Sequence, residues 1–324
     1  MKMTKNSVLL FLQDHPDTFV SGAELARWLG LSRTAVWKAV EQLRQEGYAI
    51  ESLPRRGHRL LSSSDVLSEE GIVRALRHAD LPLKVFPSIS STNSVLKEMA
   101  AQDAPAPLAL VAAEQTAGRG RLGRSFYSPA GSGLYLSLLL RPDLEASEAT
   151  ALTACAAVAV SEAIEALSGV SVGIKWVNDL MLGGRKVCGI LTEAGLDLES
   201  GRMSHVIIGI GINLRPPEGD FPEDIRTVAG SVFGETPIPD LRNRLAADIL
   251  DRLLDTAADP AAETVFEKYR ERSIVPGRAI RVLSPGKEPE PAEALALNRD
   301  YSLRVRLSDG SLQDLRSGEI SIRL

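Results

Sequence analysis

One seven-residue stretch limits the fold more than any other: Gly118-Arg119-Gly120-Arg121-Leu122-Gly123-Arg124 holds three glycines and three arginines. Its spacing satisfies G-x-G-x-x-G, the fingerprint of a dinucleotide-binding turn, but that turn needs a strand before it and a helix opening inside it. The strand is there as the apolar run 108–113; the helix is not. Residues 125–133 are rich in Ser, Pro and Gly, and a second apolar run, 134–140, follows. Strand, basic glycine loop and strand make a flexible phosphate clamp, not a Rossmann turn. Glycine lets backbone N–H groups approach an anion, and arginine supplies fixed positive charge. A solvated surface loop is the plainer alternative, but a glycine loop that concentrates arginine favours an anionic partner.

At 324 residues the chain exceeds one ordinary core, so two or three domains are expected. The N-terminus does not read as a signal peptide; it leads into an amphipathic stretch interrupted by Gln13 and Asp14. The longest apolar run, 149–167, carries Glu162 and Glu165 and reads as a buried alanine-rich helix, not a membrane span. Cys155 and Cys188 are isolated, which suggests a reducing cytoplasm, and four scattered histidines make a zinc site an unfavoured reading. Charge is uneven. Residues 1–64 hold nine Lys/Arg against six Asp/Glu, a net of +3, and the remainder holds 28 against 36, a net of −8. A basic module on an acidic body suggests a polyanion partner for the first part alone.

Three modules are expected, at residues 1–64, 65–272 and 273–324. In the first, Ser21-Gly22-Ala23-Glu24 is a capping box, Gly30-Leu31 is a tight turn, and Ser32 caps a second helix that Gly47 stops. Leu25, Ala26 and Leu29 face Val36, Val40 and Leu43 at helical spacing, a helix-turn-helix pattern. The outward face carries Arg33, Thr34, Trp37, Lys38 and Glu41. A strand, a basic turn with Arg55, Arg56 and Arg59, and another strand then form a wing, which favours DNA over a helical protein-interaction domain. Arg33, Thr34 and Lys38 are expected to face the groove, and the three wing arginines the phosphates. Ser62-Ser63-Ser64 reads as a short linker. The second module alternates strands with helices and reads as mixed α/β, with 215–234 a mobile loop. The third alternates in period two over 278–283, 292–298, 302–307 and 312–315, with turns at Pro285-Gly286 and Asp309-Gly310, and is expected to be an SH3-like β-barrel.

Four patches in the second module can meet at one site. Ser91-Thr92-Asn93 opens a helix and suits a carboxylate or ureido oxygen, or simply caps that helix. Gln115 stands with the arginine loop. Lys175-Trp176-Val177-Asn178-Asp179 ends a strand, or is an ordinary turn. The glycine turn Gly183-Gly184 delivers Arg185 and Lys186 to a strand continuing through Gly189. Lysine is scarce here, nine against 28 arginines, and a compact point charge beside a glycine turn suits a phosphate.

These segments, with Gly209-Ile210-Gly211-Ile212-Asn213, resemble in order and spacing the catalytic domain of the biotin protein ligases. With a winged helix before it and a small barrel after it, the chain resembles the bifunctional biotin ligases that are also biotin operon repressors. One departure is Val177, where the family usually carries proline; a looser turn at Asn178 is the risk, and only modest consequences are expected because the flanking Trp176, Asn178 and Asp179 are all present. The resemblance implies that biotin and ATP, with Mg²⁺ and no protein-only metal cage, give biotinyl-5′-adenylate, and that biotin then passes to a lysine of a biotin carboxyl carrier protein. It places Lys186 and Arg121 at the catalytic centre. Biotin would be held by Ser91, Thr92, Asn93, Gln115, Arg119, Gly120, Arg121, Lys186 and Gly189. Nucleotide would be held by Arg121, Arg124, Asn178, Asp179, Lys186, Asn213 and Arg323. A homodimer on operator DNA, with no membrane association, is the implied assembly. Lipoate–protein ligase, and a ligand-binding regulator without catalysis, are the rival readings.

Overall fold

The computed structural model describes residues 2–197, 201–234, 238–283, 288–316 and 319–322. It divides into two compact units, residues 1–76 with 235–247, and residues 77–234 with 248–324.

The first unit opens with α1 (Lys2–Asp14), a full helix where the sequence suggested only an amphipathic stretch; its Val8 and Leu12 are buried in the core. The Ser21–Glu24 capping box opens α2 (Gly22–Leu29), and Gly30, at φ 63°, closes it in the left-handed conformation. Ser32 caps α3 (Arg33–Gln45), and Leu25, Val36, Val40 and Leu43 pack together as the spacing predicts. The wing is the antiparallel pair β1 (Ile50–Leu53) and β2 (Gly57–Leu60). Its first strand begins at Ile50 because the Tyr48 amide is already used, donating to Leu43 O to finish the helix. The serine stretch is no free tether: Ser62 N bonds Asp17 Oδ1 and Ser64 Oγ accepts from Ala49 N. Beyond it, α4 (Glu69–Ala75) is fastened to the 235–247 segment by fully buried Asn243, which accepts from Ser68 N at 2.9 Å and donates to Val66 O at 2.8 Å.

The second unit is built on β3 (Leu83–Phe86), β4 (Leu108–Ala112), β5 (Gly133–Leu140), β6 (Gly173–Lys175), β7 (Asp179–Leu182), β8 (Arg185–Leu196) and β9 (Met203–Asn213). They form one sheet in the order β3-β4-β5-β9-β8-β7-β6, with β3–β4 parallel and every other neighbouring pair antiparallel. β4 is buried along its whole length, as its unbroken apolar run requires. α5 (Thr92–Ala101) packs on β5 and β9, and α6 (Ala149–Ser168) on β8 and β9. Residues Ala146–Ser168 are the one stretch among the described residues long and apolar enough to cross a membrane, yet 67% of its apolar 18-residue window is buried, as in a core helix. No helix follows the arginine loop before β5, so the Rossmann turn is excluded.

Residues 215–234 carry no helix or strand, but they are tethered, against the expectation of a mobile loop. Phe221, Val232 and Phe233 are buried, the Lys186 amide donates to Val228 O, and Gly230 N donates to Lys186 O. α7 (Leu241–Ala257) and α8 (Glu263–Arg272) lead to an antiparallel sheet of β10 (Ala279–Leu283), β11 (Glu290–Leu297), β12 (Leu303–Leu307), β13 (Leu312–Leu315) and β14 (Glu319–Ile322), in the order β13-β12-β11-β10-β14. The sequence pattern missed β14, a four-residue strand whose Ile320 pairs with Val282. Gly310 makes the expected turn at φ 84°; Pro285-Gly286 lies outside the described residues. Trp176 is buried in the core of this sheet, its Nε1–H donating to Tyr301 O at 2.8 Å.

Candidate active site

Three backbone devices bring the site together. The first is the N-terminus of α5. Ser91 is its N-cap, and both the amide and the hydroxyl of Thr92 point to Gln115 Oε1, at 2.9 and 3.2 Å. Ser137 Oγ, fully buried on β5, lies 2.6 Å from Thr92 Oγ1 and from Asn93 Oδ1. These side chains therefore form a closed polar network that presents fixed groups to a ligand.

The second is the arginine loop. Gly120 N donates to Arg124 O at 2.7 Å and Phe126 N to Gly118 O at 2.9 Å, folding the loop on itself. Leu122 and Gly123 take positive φ, 53° and 75°, at the tip, and the Leu122 side chain is 67% exposed. Arg119 Nη1 lies 3.1 Å from each Glu193 oxygen, and Arg121 Nη1 donates to Asn178 Oδ1 at 2.9 Å. Asn178 also donates to Ile190 O at 2.8 Å, so it is firmly aimed with valine before it. The Trp176–Val177 peptide is cis.

The third is the β7–β8 hairpin. Gly183 and Gly184 take φ of 55° and 78°, the two positive angles a two-residue hairpin turn demands. The turn sets Lys186 Nζ 2.6 Å from Asp179 Oδ1. That oxygen is buried, so the ion pair is partly shielded from water. The floor is a lane of glycines. Gly189 and Gly211 face each other across β8 and β9, and a Cβ on either would meet the Phe126 ring, at 3.1 and 2.5 Å.

Together these devices enclose a cavity of about 330 Å³. Its lining includes Ser91, Thr92, Asn93, Gln115, Arg119, Gly120, Arg121, Arg124, Asn178, Asp179, Lys186 and Gly189, twelve residues singled out from the sequence. Asn213 is not among them: its Nδ2 donates to Gly230 O at 3.0 Å and pins the 215–234 segment. Arg323 lies outside the described residues. Phe126, Leu283, Ile320 and Ser321 line the cavity and were missed. Alternating glycines within a strand signal close approach of another group, so Gly211 was a readable hint of a neighbour such as Phe126, as Gly209 was of Asn93. The lining carries five cations, Arg119, Arg121, Arg124, Lys175 and Lys186, against one carboxylate, Asp179, a net of +4. A cavity so charged suits a polyanion. Among the described residues no three His, Cys, Asp or Glu side chains converge as a metal cage.

In the first unit, Arg33, Thr34 and Lys38 lie on the exposed face of α3, and Arg55 and Arg56 are exposed in the wing. Arg59 is half-buried and ion-paired with Glu51 at 2.6 Å. The guanidinium groups of Arg56 and Arg59 both stack over Phe19, at 4.3 and 4.7 Å.

Residues 85–213 match the biotin/lipoate A/B protein ligase family, and residues 4–59 match a helix-turn-helix domain. The chain is 42% identical over 232 residues to the bifunctional ligase/repressor BirA of Bacillus spizizenii, covering 71% of this chain and 70% of the relative. It is 30% identical over 311 residues to BirA of Salmonella typhimurium, covering 94% and 93%. Biotin protein ligase from Aquifex aeolicus, solved with biotin and ATP, superposes with a TM-score of 0.60 at 27% identity, over 75% of this chain and 98% of that one. Catalytic cavity, DNA-type N-terminal unit and near full-length similarity agree: the chain belongs to the bifunctional ligase/repressor BirA family.

Proposed function

We propose that this chain is an ATP-dependent biotin–protein ligase that also represses transcription through its helix-turn-helix unit. A biotin carboxylate oxygen attacks the α-phosphorus of ATP, pyrophosphate leaves, and biotinyl-5′-adenylate forms. The neutral ε-amine of a lysine on a biotin carboxyl carrier protein then attacks the acyl carbonyl, AMP leaves, and an amide results. The first step brings two anions together, so charge neutralisation and positioning dominate it. The observation that carries the reading is the +4 lining of a cavity that also holds the Ser91–Thr92–Gln115 network.

In this reading Ser91, Thr92, Asn93 and Gln115 hold the biotin rings, Arg119, Gly120 and Arg121 clamp carboxylate and phosphate, and Lys186 offsets charge at the reacting oxygens. Asn178, Asp179 and Arg124 face the nucleotide. Mg²⁺ arriving with ATP would screen its phosphates and take most of its ligands from water and phosphate, with the Asp179 carboxylate, held by Lys186, as the one acidic group of the lining to meet it. The three-module division, an SH3-like barrel for the C-terminal sheet, a homodimer on operator DNA and a cytoplasmic location complete the proposal. Incubation with biotin, Mg-ATP and a carrier domain, followed by mass measurement of the carrier, tests it. One added biotin supports it; a lipoyl adduct in a parallel reaction, or an unchanged carrier, overturns it.

A further inference from the structure

α3 buries Val36, Ala39, Val40 and Leu43, and the opposite face is left to solvent. At the middle of that face stands Trp37, 57% exposed. Its indole has no hydrogen-bond or ring partner among the described residues. One turn before it on the same face lie Arg33 and Thr34, both exposed, and Lys38 follows it. Among the described residues neither Arg33 nor Lys38 forms an ion pair. The one carboxylate of the face, Glu41, is neutralised by Arg44, which is itself anchored to Ile50 O and Ser52 Oγ. Trp37 is thus an apolar ring framed by unpaired cations, on a surface with no uncompensated acid.

We infer that Trp37 is a specificity-determining residue that packs on the C5-methyl group of a thymine in each operator half-site. This inference rests on reading the first unit as an operator-binding domain. The cations on either side of the ring match the phosphate backbone, which fixes the occupant as nucleic acid and sets α3 in the major groove. There the thymine methyl is the one apolar group a base pair offers, and it is met by apolar side chains. Arg33, Lys38 and Arg55 supply salt-dependent affinity that is indifferent to sequence, while Trp37 reads the base.

The test uses the full chain with biotin and Mg-ATP and a duplex enriched from a randomised pool, with each thymine replaced in turn by uracil to delete only the methyl. For the unmodified protein, uracil at one position of each half-site should weaken binding about fourfold per site, the worth of one buried methyl group. Trp37→Ala should bind the thymine duplex more weakly, keep the same salt slope, and show no further loss with uracil. Trp37→Phe should keep the uracil penalty. If Trp37→Ala loses its helical circular dichroism, Trp37→Gln replaces it under the same criteria. A uracil penalty undiminished in the Ala or Gln variant overturns the inference. So does steep, salt-dependent binding by the unmodified protein that no uracil affects, and in that case operator binding itself stands. If no duplex is enriched at all, the operator-binding reading and the inference fall together.

Discussion

Replacing Gly209 by alanine tests the floor of the cavity. Gly209 pairs with Ser137 on β5 and with Leu191 on β8. A Cβ there would lie 2.0 Å from Asn93 Oδ1 and 2.7 Å from its Cγ. Asn93 cannot step aside cheaply. It is 4% exposed, its amide donates to Leu191 O and Glu193 Oε2, and its oxygen lies 2.6 Å from Ser137 Oγ. Forcing one methyl into a packed interior costs about 1–3 kcal/mol. Each buried hydrogen bond broken in the process costs about 1 kcal/mol more. The reduced freedom of the unfolded chain returns roughly 0.4–1 kcal/mol. The net expectation is a loss of about 2–4 kcal/mol. Gly195 is the matched control on the same strand pair. Its Cβ would meet His205 Cε1 at 2.2 Å, but that ring is only half-buried and can rotate into solvent. Urea unfolding followed by circular dichroism gives both values. Displaced Asn93 should also raise the KM for biotin more than it lowers kcat, because Asn93 and Thr92 line the cavity side by side and are proposed to hold biotin. Gly209→Ala within about 0.5 kcal/mol of the parent protein, or no costlier than Gly195→Ala, would refute the reasoning.

Lys186→Ala should slow adenylate formation by about 10²–10³ and leave Asp179 without its cation. The added Asp179→Asn change should restore stability but not pyrophosphate release, and recovered activity would count against Lys186. Arg55→Ala with Arg56→Ala should weaken DNA binding at all sequences and flatten its salt dependence, read by titration at several salt concentrations. Burial, and then the Arg44 charge, hold the His58 imidazole below its usual pKa, so the native state favours the neutral ring. The unfolded chain takes up that proton first as pH falls through about 6.5, so the His58 contribution is present above that pH and is lost below it. The urea midpoint should drop between about pH 7.5 and 5.5, and drop less in His58→Gln. Burial pushes the Cys155 thiol up to about 12 and the Cys188 thiol up as well, so neither should react with iodoacetamide until the chain unfolds, as mass measurement will show.

Much of this molecule was legible where the sequence states a local rule. Ser21 and Ser32 announce helix starts, Gly30 a stop, and Gly183-Gly184 a hairpin, because each position imposes a backbone angle or a cap that few residues satisfy. Of the twelve predicted cavity residues that converge, most lie at strand ends, in loops or at a helix start, where motifs are compact. Contacts distant in sequence were not legible. Nothing near Asn213 says that its partner is Gly230, and nothing in 319–322 says that so short a strand will find β10 and bring Ile320 to the cavity. The 215–234 stretch looked mobile because it is rich in Pro, Gly and acid. Its tether is the Lys186 backbone, a pairing that composition cannot encode.

The placement of Trp176 has a consequence for how the second unit comes apart. Its indole is sealed into the five-stranded sheet and bonded to Tyr301 O, while Tyr269 Oη donates to Val177 O at 3.1 Å. Lys175, Asn178 and Asp179, all at the cavity, lie within three residues of that anchor. Local opening of the C-terminal sheet must therefore drag the Asn178 end of the cavity open with it, as a single cooperative subunit of unfolding. Amide hydrogens of β7 and of β12 should exchange in step, and any sequence change that loosens the sheet is felt at Asn178 before the rest of the protein registers it.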